Sequence, residues 1–381
     1  MVMRVSGHFG NCWPTPFSWR ISAVAEMPES ARYRVGIITQ FGAWSASTRA
    51  RALQYVEPLE AHGLDLQLLL ANDRPVRHPG RIGQVRYFAT HAWRYLRRYF
   101  ELRRSLQGLD AVLVQRGVYA MGPGLVVRPL ERFAGRVVLD LDDDLFSLTP
   151  SMEGKGRLAR WIYGPQQAAR LVRRADHIVV STERLASALP KPHGPVVVLP
   201  TVPQVERYAV SISGGEDGLI GWAGTTGGLR YLDPLREVFT ELSSMGQGHL
   251  RVVSSEPWNG PSEFVEWQQE DEHQMFANWA VGIMPLPNTE YAKAKAGYKL
   301  LQYMAAGVAC IASPVGVNCE IISESGAGLL ASTPEEWKQA LLQLLGNREL
   351  RQSMGQAGRE FVLRYSDPTR HADLLRQALM G

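Results

Sequence analysis

From Tyr33 onward, short continuous apolar runs alternate with longer amphipathic stretches. The runs at 34–39, 64–70, 111–115, 137–141, 177–181 and 196–199 are too short for helices and too evenly apolar for half-exposed hairpins. They predict strands of a parallel sheet covered on both faces, with crossover helices between them. The first such helix is expected at about 48–62, closed by Gly63. Residues 201–218, rich in Pro, Gly and Ser, break the pattern and read as a linker. Beyond it the alternation resumes, with strands at 219–222, 250–254, 281–284 and 309–313. Helices are expected near 232–245, 298–306, 334–345 and 349–365, and a last one opens at Pro368.

The expected organisation is therefore a first domain over 33–200, the linker, a second domain over 219–367, and a helix over 368–381 that returns to the first domain. Two doubly wound α/β domains facing a central cleft follow from this order, with ligands at the carboxyl ends of strands. Residues 1–32 carry Gly, Pro and Trp without period and no signal-peptide layout. They read as a disordered extension, with Met27 an alternative start.

A length of 381 residues suits two cores rather than one. No run of about 18 apolar residues suggests a membrane span. Cys12, Cys310 and Cys319 lack metal-ligand spacing and are too few for a disulfide framework, which points to a reducing, cytoplasmic setting. The net charge of +4 is small, but its sources are clustered. Arg94, Arg97, Arg98, Arg103 and Arg104 sit among aromatics in HAWRYLRRYFELRR, at partly helical spacing. Such a segment is a helix with a solvated basic face, or a peripheral contact with anionic lipid or a phosphorylated acceptor. No nucleic-acid motif accompanies the charge.

The most informative stretch is VGIMPLPNTEYAKAKAGYKLLQYMAAGVACIASPVGVNCEII, residues 281–322. It reads as strand, polar loop, Gly297, helix, Gly307, strand, and a glycine-containing turn into another helix. A helix opening at Gly297 offers backbone N–H groups and a positive dipole end to a diphosphate. Lys295 and Lys299, four apart, flank that opening, and Gln302 follows one turn on. The plain alternative is two solvated lysines on a surface helix.

GYKLLQYMAAG followed by SPVGVN resembles the donor-site signature of glycosyltransferase family 4 (glycosyl transferases group 1), and is closest to a bacterial subgroup of it. Most of the chain from Tyr33 fits that layout. The resemblance implies a GT-B fold and a retaining transfer, hexosyl or related, from a nucleoside diphosphate sugar to an acceptor hydroxyl. It implies no cofactor and no metal, the nucleotide sugar being substrate. It places the diphosphate on the backbone of Gly297 and Tyr298. The family's paired glutamates fall at Ala294 and Gln302, so Gln302 takes the ribose; the lysines are an addition from charge and geometry. The subgroup serves polysaccharide and lipid-linked sugar assembly, so a saccharide or lipid-linked acceptor follows by analogy.

A second match is GWAGTTGGLRYL, after the first strand of the second domain. Gly224, Thr225 and Thr226 let backbone approach phosphate, and Arg230 supplies charge. A tight strand–helix connection explains the glycines equally well. Where the family has a basic residue after the first glycine, this chain has Thr225.

VVLDLDDDLF runs a strand into several carboxylates, where acid–base or cation-stabilising work is done. It reads as a metal-binding Asp-x-Asp, as the nucleophile motif of a haloacid-dehalogenase-like phosphatase, as the family's acceptor-side loop, or as acidic residues favouring a helix dipole. Asp142 and Asp143 are the expected catalytic helpers, the departing phosphate acting as base in this class. In the first loop Ser47, Arg49 and Arg51 are expected to grip acceptor or phosphate, with Arg116 lining the same region. Zinc spacings and Gly-x-Ser-x-Gly are lacking. Because Gln302, Thr225 and Ala280 depart from the family pattern, a non-catalytic sugar-nucleotide-binding homologue is the other reading.

Overall fold

Runs rich in Val, Ile and Leu become the strands of two sheets, because each residue of a strand buried on both faces meets a core. The computed structural model describes residues 3–4, 33–71, 84–119, 124–146, 166–211 and 214–381. The chain divides into two compact units, residues 1–199 with 368–381, and residues 200–367.

In the first unit the strands are β1 (Met3–Arg4), β2 (Tyr33–Thr39), β3 (Leu64–Leu69), β4 (Ala111–Gln115), β5 (Arg136–Leu141), β6 (His177–Val180) and β7 (Val196–Val198). Their order is β1-β3-β2-β4-β5-β6-β7. All pairs from β2 to β7 are parallel, and β1 adds two antiparallel residues beside β3. The rest of the 1–32 extension lies outside the described residues. Alternation along β4 divides the core: Val112 and Val114 face one apolar layer, Ala111 and Leu113 the other. Ala372, Leu375, Ala378 and Leu379 of the helix Pro368–Met380 complete the second layer.

The helix expected at 48–62 is broken into Ala46–Arg51, a 3-10 turn Leu53–Tyr55, and Val56–Ala61. Pro58 has no N–H for the Gln54 carbonyl and its ring crowds that group, so a continuous helix cannot pass. Pro234 acts similarly in the second unit, where a 3-10 helix Thr226–Leu235 precedes the α-helix Arg236–Ser244.

The second unit has β8 (Leu219–Ala223), β9 (His249–Ser254), β10 (Glu263–Glu266), β11 (Val281–Met284), β12 (Ala309–Ala312) and β13 (Gly328–Leu330), in the order β10-β9-β8-β11-β12-β13 and all parallel. Both sheets have a doubly wound parallel arrangement. The short edge strands β10 and β13 carry no long apolar run and went unpredicted. The segment expected as a linker instead packs into this unit. Val202, Val205 and Tyr208 are buried in its core, and Ser366 donates to the Pro203 carbonyl at 2.8 Å.

Glycines on one face of the second sheet make room for large rings. A methyl group on Gly221 would lie 1.9 Å from the Trp279 ring, and one on Gly282 2.6 Å from Tyr303. Gly221→Ala is therefore expected to cost about 1–3 kcal/mol, read as a lower urea midpoint with unchanged slope. An unchanged midpoint would mean that Trp279 can move aside.

Candidate functional site

In the second unit, β8 runs into the turn at Gly224, whose N–H donates to the Val253 carbonyl at 3.0 Å. Strand period two puts Trp222 and Gly224 on one face. There the Lys299 ammonium stands 4.2 Å from the centre of the Trp222 ring. The lack of a side chain at Gly224 is required, since a methyl group would come within 2.4 Å of Lys299 Nζ. Thr225, Thr226 and Gly227 are exposed, the Gly228 N–H closes the turn on the Thr225 carbonyl at 2.8 Å, and the Thr226 hydroxyl meets that of Ser255 at 3.0 Å.

Gly297 has φ of 66°, a left-handed conformation that favours glycine, and caps the helix Tyr298–Ala305. A methyl group here would press within 2.5 Å of Ile321 Cδ1. Tyr298 opens the helix, and Lys299 one residue later turns back to the Gly224 turn. Thus the helix that opens at one glycine segment sends its lysine to the other. Burial, and then the charge of Lys295, push Lys299 down to about 7. No carboxylate among the described residues pairs with it. Lys295 itself rests 4.5 Å above the Tyr291 ring. Arg230 is exposed and held by its neighbour, its guanidinium 5.1 Å from the Tyr231 ring centre and donating to that hydroxyl.

Gln302 is placed differently from the expectation. Its Nε2 donates to the Tyr208 hydroxyl at 3.0 Å and to Glu272 at 3.3 Å, all three side chains being buried. The amide donor is thus committed inside the protein, and only the carbonyl oxygen remains for a ribose hydroxyl. Sequence reasoning missed Tyr208 and Glu272, which lie in stretches without a motif. Trp222 was also missed, although its period-two relation to Gly224 was there to be read.

In the first unit a separate polar cluster forms at the carboxyl ends of β2, β4 and β5. Arg116 has φ of 63°, uncommon for a residue with a side chain, and its N–H donates to the Asp140 carbonyl at 2.8 Å. Its guanidinium reaches Asp142 at 3.0 Å and Asp143 at 3.6 Å. Ser47 receives a hydrogen bond from Gln115 at 2.7 Å and bonds to Asp142. Burial alone would raise the Asp142 carboxyl, but Arg116, the Ser47 hydrogen bond and Arg51 hold it below the usual range. Asp142 is therefore an ionised acceptor, not an acid. Arg116 is the clamp of this carboxylate pair, where the sequence had made it an acceptor or phosphate contact.

Two further expectations are corrected. Arg51 does not face a ligand: its side chain and that of Asp140 are fully buried and paired, with Nε donating to Asp140 at 3.1 Å and Nη1 to the Leu199 carbonyl. Arg49 donates to the Ala43 and Trp44 carbonyls, each at 2.9 Å, and so braces its own loop. The phosphatase reading also suffers, because Asp140 is locked against Arg51 and Asp142 against Arg116. Among the described residues, no three His, Cys, Asp or Glu side chains are grouped to hold a metal ion.

Residues 235–347 match the family model described as Glycosyl transferases group 1. No curated protein matches the chain by sequence. Solved structures similar to it include sucrose-phosphate synthase from Thermosynechococcus elongatus, at 14% identity and a TM-score of 0.62, covering 91% of this chain and 98% of that one. An alpha-glucosyltransferase in complex with UDP and a DNA containing a HMU base is 12% identical, with a TM-score of 0.62 and coverage of 92% and 100%. Anabaena HepE in complex with UDP and glucose is 12% identical, with a TM-score of 0.58 and coverage of 91% and 99%. At these identities the structures establish the shared fold. The sequence match over 235–347 establishes the activity class, and the chain is a glycosyltransferase enzyme.

Proposed function

We propose that this glycosyltransferase takes a nucleoside diphosphate sugar as donor, holds its diphosphate at Lys299, and transfers the sugar with retention to a saccharide or lipid-linked hydroxyl. The observation that carries the reading is the ammonium of Lys299, borne on the helix that opens at Gly297 and set against the Gly224 turn with no carboxylate partner among the described residues. A desolvated cation beside backbone that lacks side chains suits an anion able to approach closely. UDP in two structures of like fold is consistent with that choice.

As the bond from the sugar to the diphosphate breaks, negative charge gathers on the leaving oxygen. Lys299, with Lys295 and the N–H groups at Gly297 and Tyr298, stabilises that charge. The leaving phosphate then serves as base for the acceptor hydroxyl, so no protein base is needed. Asp142 and Asp143, fixed by Arg116, are the first unit's candidates to orient the acceptor hydroxyl. Gln302 contributes to the ribose through its carbonyl oxygen, and Thr225, Thr226 and Arg230 line the phosphate side. The proposed place of action is the cytoplasm, in polysaccharide or glycolipid assembly.

The test is calorimetric titration with UDP-, GDP-, ADP- and dTDP-sugars, with and without a divalent metal, followed by anomeric analysis of any product. Binding of at least one donor without metal is expected; a strict metal requirement would overturn the reading. Asp142→Asn should lower kcat by about a hundredfold while leaving donor affinity unchanged. Wild-type turnover in that variant would remove the carboxylate from the chemistry. The commitment of Gln302 to Tyr208 and Glu272 favours one second reading, a homologue that binds the nucleotide sugar without transferring it. Donor binding with neither transfer nor hydrolysis would select it.

A further inference from the structure

The helix Gln84–Ser105 carries six arginines against a single glutamate, and three of its large apolar side chains point the wrong way for a core helix. Trp93, Leu96 and Phe100 are 68%, 52% and 60% exposed. Its inward side buries Leu102 against the core and is held by polar anchors as well. Arg98 is buried and donates to the Val118 carbonyl at 3.1 Å and to the carbonyls of Thr39 and Leu69. The Tyr95 hydroxyl accepts from the Val126 N–H at 2.7 Å. The outward orientation is thus fixed by bonds on the opposite face, and Trp93 cannot turn inward without breaking them.

At 100° per residue, Trp93, Leu96, Arg97, Phe100, Arg103 and Arg104 all fall within an arc of about 120°. Leu96, Phe100 and Trp93 form its middle. Arg97 and Arg104 flank them on one side and Arg103 on the other, all three exposed. No acidic residue shares this face. A soluble surface seldom leaves a tryptophan, a leucine and a phenylalanine adjoining and open to water without an occupant.

We propose that this face docks the protein on an anionic bilayer, Trp93, Leu96 and Phe100 entering the headgroup region and Arg97, Arg103 and Arg104 meeting lipid phosphates. Charge decides the occupant. Arginine stems lie along an apolar surface while their heads stay with phosphate, and tryptophan favours the headgroup level. A second copy seated on the same face would set these three arginines against their own counterparts. No described helix is long and apolar enough to cross a membrane. The inference does not rest on the sugar-transfer reading and stands or falls separately from it.

The experiment is co-sedimentation of the full chain with phosphatidylcholine vesicles, with and without phosphatidylglycerol. Binding is expected with the anionic vesicles and is weaker with phosphatidylcholine alone. The triple change Arg97→Gln, Arg103→Gln and Arg104→Gln should weaken it on the order of a hundredfold, at about one kcal/mol per charge. The triple change Trp93→Ser, Leu96→Ser and Phe100→Ser should weaken it at least about tenfold. All six side chains are exposed, so circular dichroism should not move, and the unfolding midpoint should shift little, Phe100 losing its edge contact with Tyr99. Wild-type protein that remains in the supernatant with anionic vesicles overturns the proposal. So does equal sedimentation with both vesicles, or undiminished binding by both variants. A dimer by light scattering that the serine variant abolishes would assign the face to a second copy instead.

Discussion

Lys299→Met is expected to lower affinity for a nucleoside diphosphate by on the order of a hundredfold while leaving folding stability unchanged or higher. The two effects part because the ammonium is stranded in the free protein. It lies over Trp222 without a carboxylate partner, and its pKa falls to about 7. An unfolded lysine keeps its proton up to about pH 10.4, so between these values the folded state holds fewer protons. Folding is therefore penalised at and below pH 7 and gains as pH rises above it, with the gain complete near the unfolded value. Ligand binding has the opposite dependence. A diphosphate restores the proton, so above pH 7 binding takes one up and affinity should fall by as much as about tenfold per unit. Calorimetry in buffers of different ionisation enthalpy would show that uptake, and Lys299→Met should abolish it. Equal proton uptake in the variant would place the titrating group elsewhere.

Arg51→Met, by contrast, should behave as a lesion of the fold. Breaking a fully buried ion pair leaves Asp140 charged without a partner, at about 3–5 kcal/mol, and a typical domain has only about 5–15 kcal/mol to lose. The urea midpoint should drop sharply, and the double variant Arg51→Met with Asp140→Leu should recover much of it, since two apolar side chains need no counter-charge. If Arg51→Met kept its midpoint and lost ligand binding, the guanidinium would belong to a site after all.

These two residues also mark what could be read from the chain alone. The alternation of apolar runs was legible because strands buried on both faces need nothing but hydrophobicity, and the parallel class of both sheets follows from it, though their strand order does not. Lys299 could be found because Gly297 and the Gly224 turn are local features that say where backbone must come close. Arg51 could not. A Ser–x–Arg–x–Arg loop has the same letters whether an arginine meets a phosphate or Asp140, eighty-nine positions away. Arg49 and Arg51 lie on opposed sides of one helix, so both could hardly serve a single anion. The bonds of Gln302 were hidden for the same reason, its partners Tyr208 and Glu272 being ninety-four and thirty positions distant. The supposed linker failed because Pro and Gly mark irregular backbone, and irregular backbone can still be buried, as Val202 and Val205 are.

The helix Pro368–Met380 carries a consequence for the order in which the protein forms. Its Ala372, Leu375 and Leu379 fill a layer with Val35, Leu113 and Val138, residues made more than two hundred positions earlier. The second unit is one unbroken segment, 200–367, whereas the first is interrupted by it. On the ribosome the usual sequence is thus inverted: the later half can close its core while the earlier half still waits, one sheet face only partly covered, for residues not yet made. Across that interval the nascent first unit is the part of the molecule most in need of a chaperone.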